Sequence, residues 1–251
     1  MMLTVQNNFA YTAVPASPLA QSVPFTSPNA AGNGLIVVAY FVYALQPPSP
    51  NLEACDSQGN AYQSIGACGA TSGAGRATLL QIWYVSSCRA GSNVVTVTEI
   101  TPLAAGSAFF LAVSVFEYPG GLGAADGSSL GGGVAPSSIA LNLITAAADD
   151  LLFGYAAQWG AGTVALDSNS GGYTTEQTEA LPPQEVTTLA VDKVVGAAGL
   201  QGITFDFTQT SEGLDSALLV ALPCALPAPP PPPPPPSAPV LGSAAGWPTI
   251  F

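Results

Sequence analysis

With no histidine anywhere in its sequence, this chain lacks the commonest general base and the commonest metal ligand. Few other groups are arranged for chemistry. Gly127-Ser-Ser-Leu-Gly131 fits the G-x-S-x-G pattern of a nucleophile elbow, but an elbow needs a strand before it, a helix after it and a base within reach. The glycine-rich surroundings predict a flexible loop instead. Paired carboxylates could hydrolyse glycosides; Asp149 and Asp150 stand at a strand entrance, and Glu117 ends the apolar run Val-Phe-Glu-Tyr. Fifteen scattered carboxylates against three cations leave little to orient a substrate, and a raised pKa needs a specific apolar cleft. Asp56-x-Gln58-x-Asn60 and Asp167-x-Asn169 have loose calcium-loop spacing, yet Asp-Ser-x-Gly is an ordinary turn in which aspartate accepts from the backbone that follows it. The expectation is a protein that is not an enzyme, with no catalytic residue, no cofactor and no metal.

Cysteines and aromatics complete the chemical inventory. Cys55, Cys68, Cys88 and Cys224 match no zinc spacing and allow three pairings. If a strand starting at Ala61 runs antiparallel to residues 77–86, Cys55 comes near Cys88, which leaves Cys68 for Cys224. Two disulfides in an oxidising compartment are expected, with four free thiols as the alternative. Trp83 and Tyr84 lie inside an apolar run and read as core. Trp159, beside Gly160 at a strand end, remains a candidate platform for stacking on a sugar ring.

The elements that must carry these residues are strands. Short segments rich in Val, Ile, Tyr, Phe and Thr alternate with Gly, Pro, Ser and Asn clusters, including residues 3–6, 21–26, 35–45, 61–65, 77–86, 93–99, 107–118, 138–144, 150–158, 186–194, 202–207 and 215–222. A turn signal every 8–12 residues or so is the pattern of an all-β sandwich. Residues 35–45 and 108–116 are apolar on both faces and should be central strands, whereas 94–98 alternates Val with Thr and should be half exposed. Residues 146–149 hint weakly at one turn of helix. Charged residues make up only 7% of the chain and the net charge is −12. Such a surface repels phosphate and anionic lipid, so nucleic-acid and membrane-surface partners are disfavoured. No apolar run reaches the ~18–20 residues of a membrane-spanning helix, and no standard secretory signal is read at the N-terminus.

The sequence also repeats itself in order: Ala31–Val38 matches Ala147–Gly154, Asp56–Tyr62 matches Asp167–Tyr173, Thr78–Val85 matches Thr187–Val194, and Ala108–Val113 matches Ala217–Leu222. Two related half-units, approximately 31–118 and 147–223, are expected to pack face to face as one sandwich spanning 1–227. The runs AAGNGLIVVAYFVY, DSQGNAYQ, LLQIWYVSSCRAGSNVVTVT and FFLAVSVFEYPG resemble a class of bacterial surface and secreted β-sandwich (jelly-roll-like) domains of appendage and adhesin-type proteins. That resemblance, over roughly 21–223, implies an extracellular, modular, large antiparallel β-sandwich and no catalytic residue.

Beyond the resemblance lie a linker at 228–236 with eight successive prolines and a tail at 237–251 carrying Val240, Leu241, Trp247, Ile250 and Phe251. Proline fixes φ and lacks an N–H, so the run should form a polyproline II rod roughly 25 Å long at ~3.1 Å per residue. A stiff spacer bearing apolar anchors suggests docking on a neighbouring subunit. The expected function is thus a structural subunit of an extracellular filament or surface appendage, whose partners are copies of itself. A carbohydrate-binding or adhesive module, with glycans as partners, is the alternative.

Overall fold

The computed structural model describes residues 4–13, 19–45, 49–101, 103–104, 106–182, 185–208 and 213–224. The expected proline rod and docking tail lie outside these residues. All the regular elements are antiparallel strands, arranged in four sheets. The first large sheet runs β1 (Gln6–Ala13), β8 (Ala108–Tyr118), β3 (Gly34–Ala44), β6 (Arg76–Val85), β5 (Gln63–Cys68). A smaller sheet runs β2 (Ala20–Pro24), β7 (Val94–Glu99), β4 (Leu52–Asp56). In the second half, β13 (Thr174–Leu181), β14 (Val186–Val194), β11 (Asp150–Trp159), β16 (Leu214–Pro223) and β9 (Gly127–Val134) form a large sheet, and β10 (Ser138–Thr145), β15 (Gly199–Thr208) and β12 (Thr163–Leu166) a small one. In each half, consecutive strands alternate between the two sheets, except that β5 stays beside β6 and β13 beside β14. This gives a jelly-roll-like β-sandwich order.

The expectation of one sandwich with a half on each side needs correction. Each half closes its own sandwich, and the two large sheets then pack against each other, giving four layers. Three apolar cores follow. One lies between the first small and large sheets, around Val23, Val37, Trp83, Val97 and Val113. The central one joins the two large sheets through Ile36, Tyr40, Phe116, Phe153, Tyr155 and Leu218. The third lies beneath the second small sheet, around Leu141, Leu152, Phe205 and Leu219. A strand between two cores must be apolar on both faces, which is why β3, β11 and β16 are buried almost end to end. Strands of the outer sheets have one wet face and alternate, as β10 and β7 do.

Several local expectations also change. Residues 127–131 form an edge strand, β9, paired with β16, not a flexible loop. Ladder hydrogen bonds come from the backbone, and the glycines permit close approach: a Cβ on Gly132 would lie 2.5 Å from the Gly69 carbonyl oxygen. Residues 146–149 are bends rather than helix. With Leu35 placed on Leu151, Val85 falls on Val194 as the repeat predicts, but Ala112, not Ala108, stands where Ala217 stands. The irregularity between Val42 and Tyr43 turns Ala108 to the first outer core while Ala112 faces the central one, so a match read along the sequence does not carry over face for face.

Candidate functional site

Glu117, Glu99 and Asp56 are engaged by donors of their own chain. Glu117 is buried, and its oxygens accept from the Asn29 and Asn33 side chains at 2.9 and 2.7 Å, from the Ala30 N–H at 2.9 Å and from Gln6 at 2.5 Å. It therefore pins β1 and the loop before β3 to the end of β8. Glu99 accepts from the backbone N–H groups of Leu19 and Leu103. Asp56 accepts from the backbone of Gln58 and Asn60 and from the side chains of Asn60, Tyr62 and Asn93. Burial works against the Asp56 charge, but these hydrogen bonds, led by those from Asn60, outweigh it and hold the carboxyl below its ordinary value. The Asp56 turn is thus closed by protein donors. At the second copy of the motif, the Asn169 N–H donates to the Asp167 side chain at 2.8 Å. Asp149 has a positive φ of 69°, and Asp150 is buried with its carboxyl raised, first by burial and then by Asp126. Among the described residues, no group of three or more His, Cys, Asp or Glu side chains is placed to hold a metal ion.

All four cysteines are free, which overturns the expected disulfides. The strand pairing behind the expectation is present, with Gln63 opposite Tyr84. Cys55, however, lies on the exposed face of β4 in the small sheet, opposite Thr96. Cys88 points into the first core and donates to the Ala30 carbonyl at 3.2 Å. Cys68 lies opposite Leu80 and donates across the central seam to the Ala217 carbonyl at 3.4 Å. Cys224 sits where the chain leaves β16, bridged to Leu122. Burial pushes the Cys68, Cys88 and Cys224 thiols up to about 11, so they carry little of the thiolate that reacts.

Trp159 does not present an open ring. It is half-buried against the central core, and the Arg76 guanidinium from the other half lies over it at 4.6 Å. Arg76 also lies 5.4 Å from the Phe109 ring. Beside Trp159 is a small cavity of about 260 Å³ lined by Gly160–Gly162, Leu181, Glu185 and Thr187. The other cations are likewise engaged: Arg89 donates to the Gln58 carbonyl at 2.9 Å, and Lys193 lies over Tyr173 at 5.3 Å.

Two features of the seam between the halves escaped sequence reasoning, because each joins residues far apart in the chain. At one flank, Asp192 on β14 is buried beside Glu176, Tyr118 and Thr4, whose hydroxyl donates to it at 3.3 Å. Burial first, then the Glu176 charge, pushes the Asp192 carboxyl up to about 7. At the end of the seam, a shallow cavity of about 420 Å³ lies where β8 passes to β9 and where β16 ends. Its lining includes Gly32, Ser87, Gly120, Leu122, Pro223 and Cys224. Gly120 and Gly121 have φ of 82° and 80°, a conformation that keeps side chains out of the notch wall.

With this geometry in hand, the chain matches no family, no curated protein and no solved structure. What the described residues define is an all-β sandwich whose polar side chains are turned largely to holding its own loops. The described residues contain no helix long and apolar enough to cross a membrane.

Proposed function

We propose that this chain is a structural subunit of an extracellular filament or surface appendage, made of two duplicated jelly-roll-like units and joined to copies of itself through residues 237–251. The observation that carries the reading is the character of the two outer faces. The exposed side of the first small sheet presents Ala20, Ser22, Pro24, Val94 and Cys55, with Glu53 its one charge. That of the second presents Ser138, Ala140, Asn142, Ile144, Leu200 and Gly202, with Asp206 its one charge. Ile144 and Leu200 are cross-strand neighbours, 70% and 73% exposed. Small, uncharged faces of this kind stack without paying to desolvate charge. The duplication is supported by the matching strand orders and the in-order sequence blocks. The extracellular location rests on the family resemblance and the low charge; free thiols give it no support.

The test is electron microscopy of the full chain beside a version ending at Pro227. Filaments from the full chain and single particles from the truncation are expected. Filaments from both would move the joint to a sandwich face. Single particles from both would sink the assembly reading and turn attention to glycan binding, where a sugar would first have to displace Arg76 from Trp159.

A further inference from the structure

We propose that the glycine-walled notch at the end of the seam is the seat for the bulky apolar side chains of residues 237–251 of a second copy. The proposal rests on the assembly reading above and names the surface that reading lacks. Three observations support this assignment.

The first is chemistry. Residues 225–251 contain none of the chain's charged side chains and carry Val240, Leu241, Trp247, Ile250 and Phe251. Such a segment docks where no charge must be desolvated. The notch is lined by Gly, Ser, Leu, Pro and Cys only. Its volume is near the low end of the ~300–1,000 Å³ of ligand pockets, room for a side chain or two rather than a large ligand.

The second is shape. Leu122 underlies the notch from the central core and is fixed there, since its N–H donates to the Ser86 carbonyl at 2.8 Å and its side chain fills the place where a Cβ of Gly34 would be. The glycine backbone at 120–123 lets an aromatic ring lie directly against peptide planes. The seat is built from both halves and from the segment joining them, so it exists only in the folded four-layer unit.

The third is the path of the chain. Cys224 lines the notch and is the residue from which 225–251 departs. Residues 225–236 separate Cys224 from the anchors at 237–251, and eight of them, Pro229–Pro236, are successive prolines. Successive prolines disfavour the tight turn that return to the chain's own notch would need, because each fixes φ and lacks an N–H. A notch on a second copy needs no such reversal. A contact between unlike surfaces repeats head to tail and propagates a ring or a filament.

The experiment uses the full chain and reads mixed-disulfide formation at Cys224 with a small methanethiosulfonate, methanesulfinate leaving, resolved by mass spectrometry with exposed Cys55 as internal reference. Ten times above the association midpoint, about four-fifths of the notches are filled, because tails and notches are consumed together, so Cys224 should react about fivefold more slowly than in dilute protein while Cys55 is unchanged. W247A/F251A should restore Cys224 reactivity and abolish association. Ser87→Trp, which fills the notch from an exposed position, should abolish association with an unchanged melting temperature. Association that leaves Cys224 reactive overturns the notch while the assembly reading stands. Cys224 protection that is independent of concentration and relieved by W247A/F251A overturns the second copy in favour of the chain's own tail. Absence of association at any concentration overturns the assembly reading, and the notch falls with it.

Discussion

Asp192 shows how a buried carboxylate behaves when no cation is at hand. Glu117, equally buried, collects four donors and sits at ease at the end of β8. Asp192 has the Thr4 hydroxyl, the like charge of Glu176 on β13 and the buried Tyr118 hydroxyl of β8 around it. Its carboxyl stands at about 7 when folded, against about 3.9 in an unfolded chain. A pKa raised by folding contributes stability that is complete below the unfolded value and is lost as pH rises through the folded one. This group therefore favours the fold at pH 4 and ceases to do so above about pH 7. Asp192→Asn should melt higher than the parent at pH 8, with the difference shrinking towards pH 4; thermal melts across that range measure it. An equal difference at pH 5 and pH 8 would show that the raised pKa is wrong. None of this was legible in the sequence, where Asp192 sits in an unremarkable Val-Asp-Lys and its neighbours come from β8, β13 and the segment before β1.

The strands are the level at which the sequence was most readable, and physical reasons explain both its successes and its failures. Residues 35–45 and 108–116 were apolar on both faces because β3 and β8 separate two cores; the alternation in 94–98 follows from one wet face on β7. The misses were β4, β9 and much of β1, whose positions depend on register and backbone fit rather than on side-chain preference. β9 is the clearest case, since its Gly-Ser composition argues against a strand while its ladder to β16 runs from Gly127 to Val134. Gly132 there meets the Gly69 carbonyl, and a Cβ on Gly69 would itself lie 2.0 Å from the Thr78 carbonyl oxygen. Both obstacles are backbone, so no rotamer change relieves them. Gly132→Ala should cost about 1–3 kcal/mol by overpacking, whereas Ser128→Ala on an exposed position of the same strand should cost under ~0.5 kcal/mol. Urea midpoints of the two variants decide the matter; equal midpoints would mean that the β5–β9 edges do not touch.

At the scale of the whole molecule, the central core decides whether the two jelly-roll-like units are partners or a single body. Ile36, Tyr40, Phe116, Leu151, Phe153 and Leu222 are all fully buried between the large sheets, and Phe116 meets Phe153 edge-on at 5.0 Å. Polar groups are satisfied across the same seam: the Tyr40 hydroxyl donates to the Leu214 carbonyl at 2.9 Å, and the Ser114 and Tyr155 hydroxyls share a bond at 3.0 Å. A half on its own would leave a whole sheet face of apolar side chains in water and these groups without partners, which isolated domains do not tolerate. Linked modules with polar surfaces between them unfold one at a time; modules sharing a core unfold together. The full chain should therefore give one calorimetric transition whose van't Hoff and calorimetric enthalpies agree. Phe153→Ala in the central core and Val97→Ala in the first outer core should both lower that one transition, the former by about 3–5 kcal/mol. Two separated transitions, with Val97→Ala moving only one, would show that the halves stand alone. The seat at the end of the seam would then be a hinge, and a filament built through it would bend at every subunit.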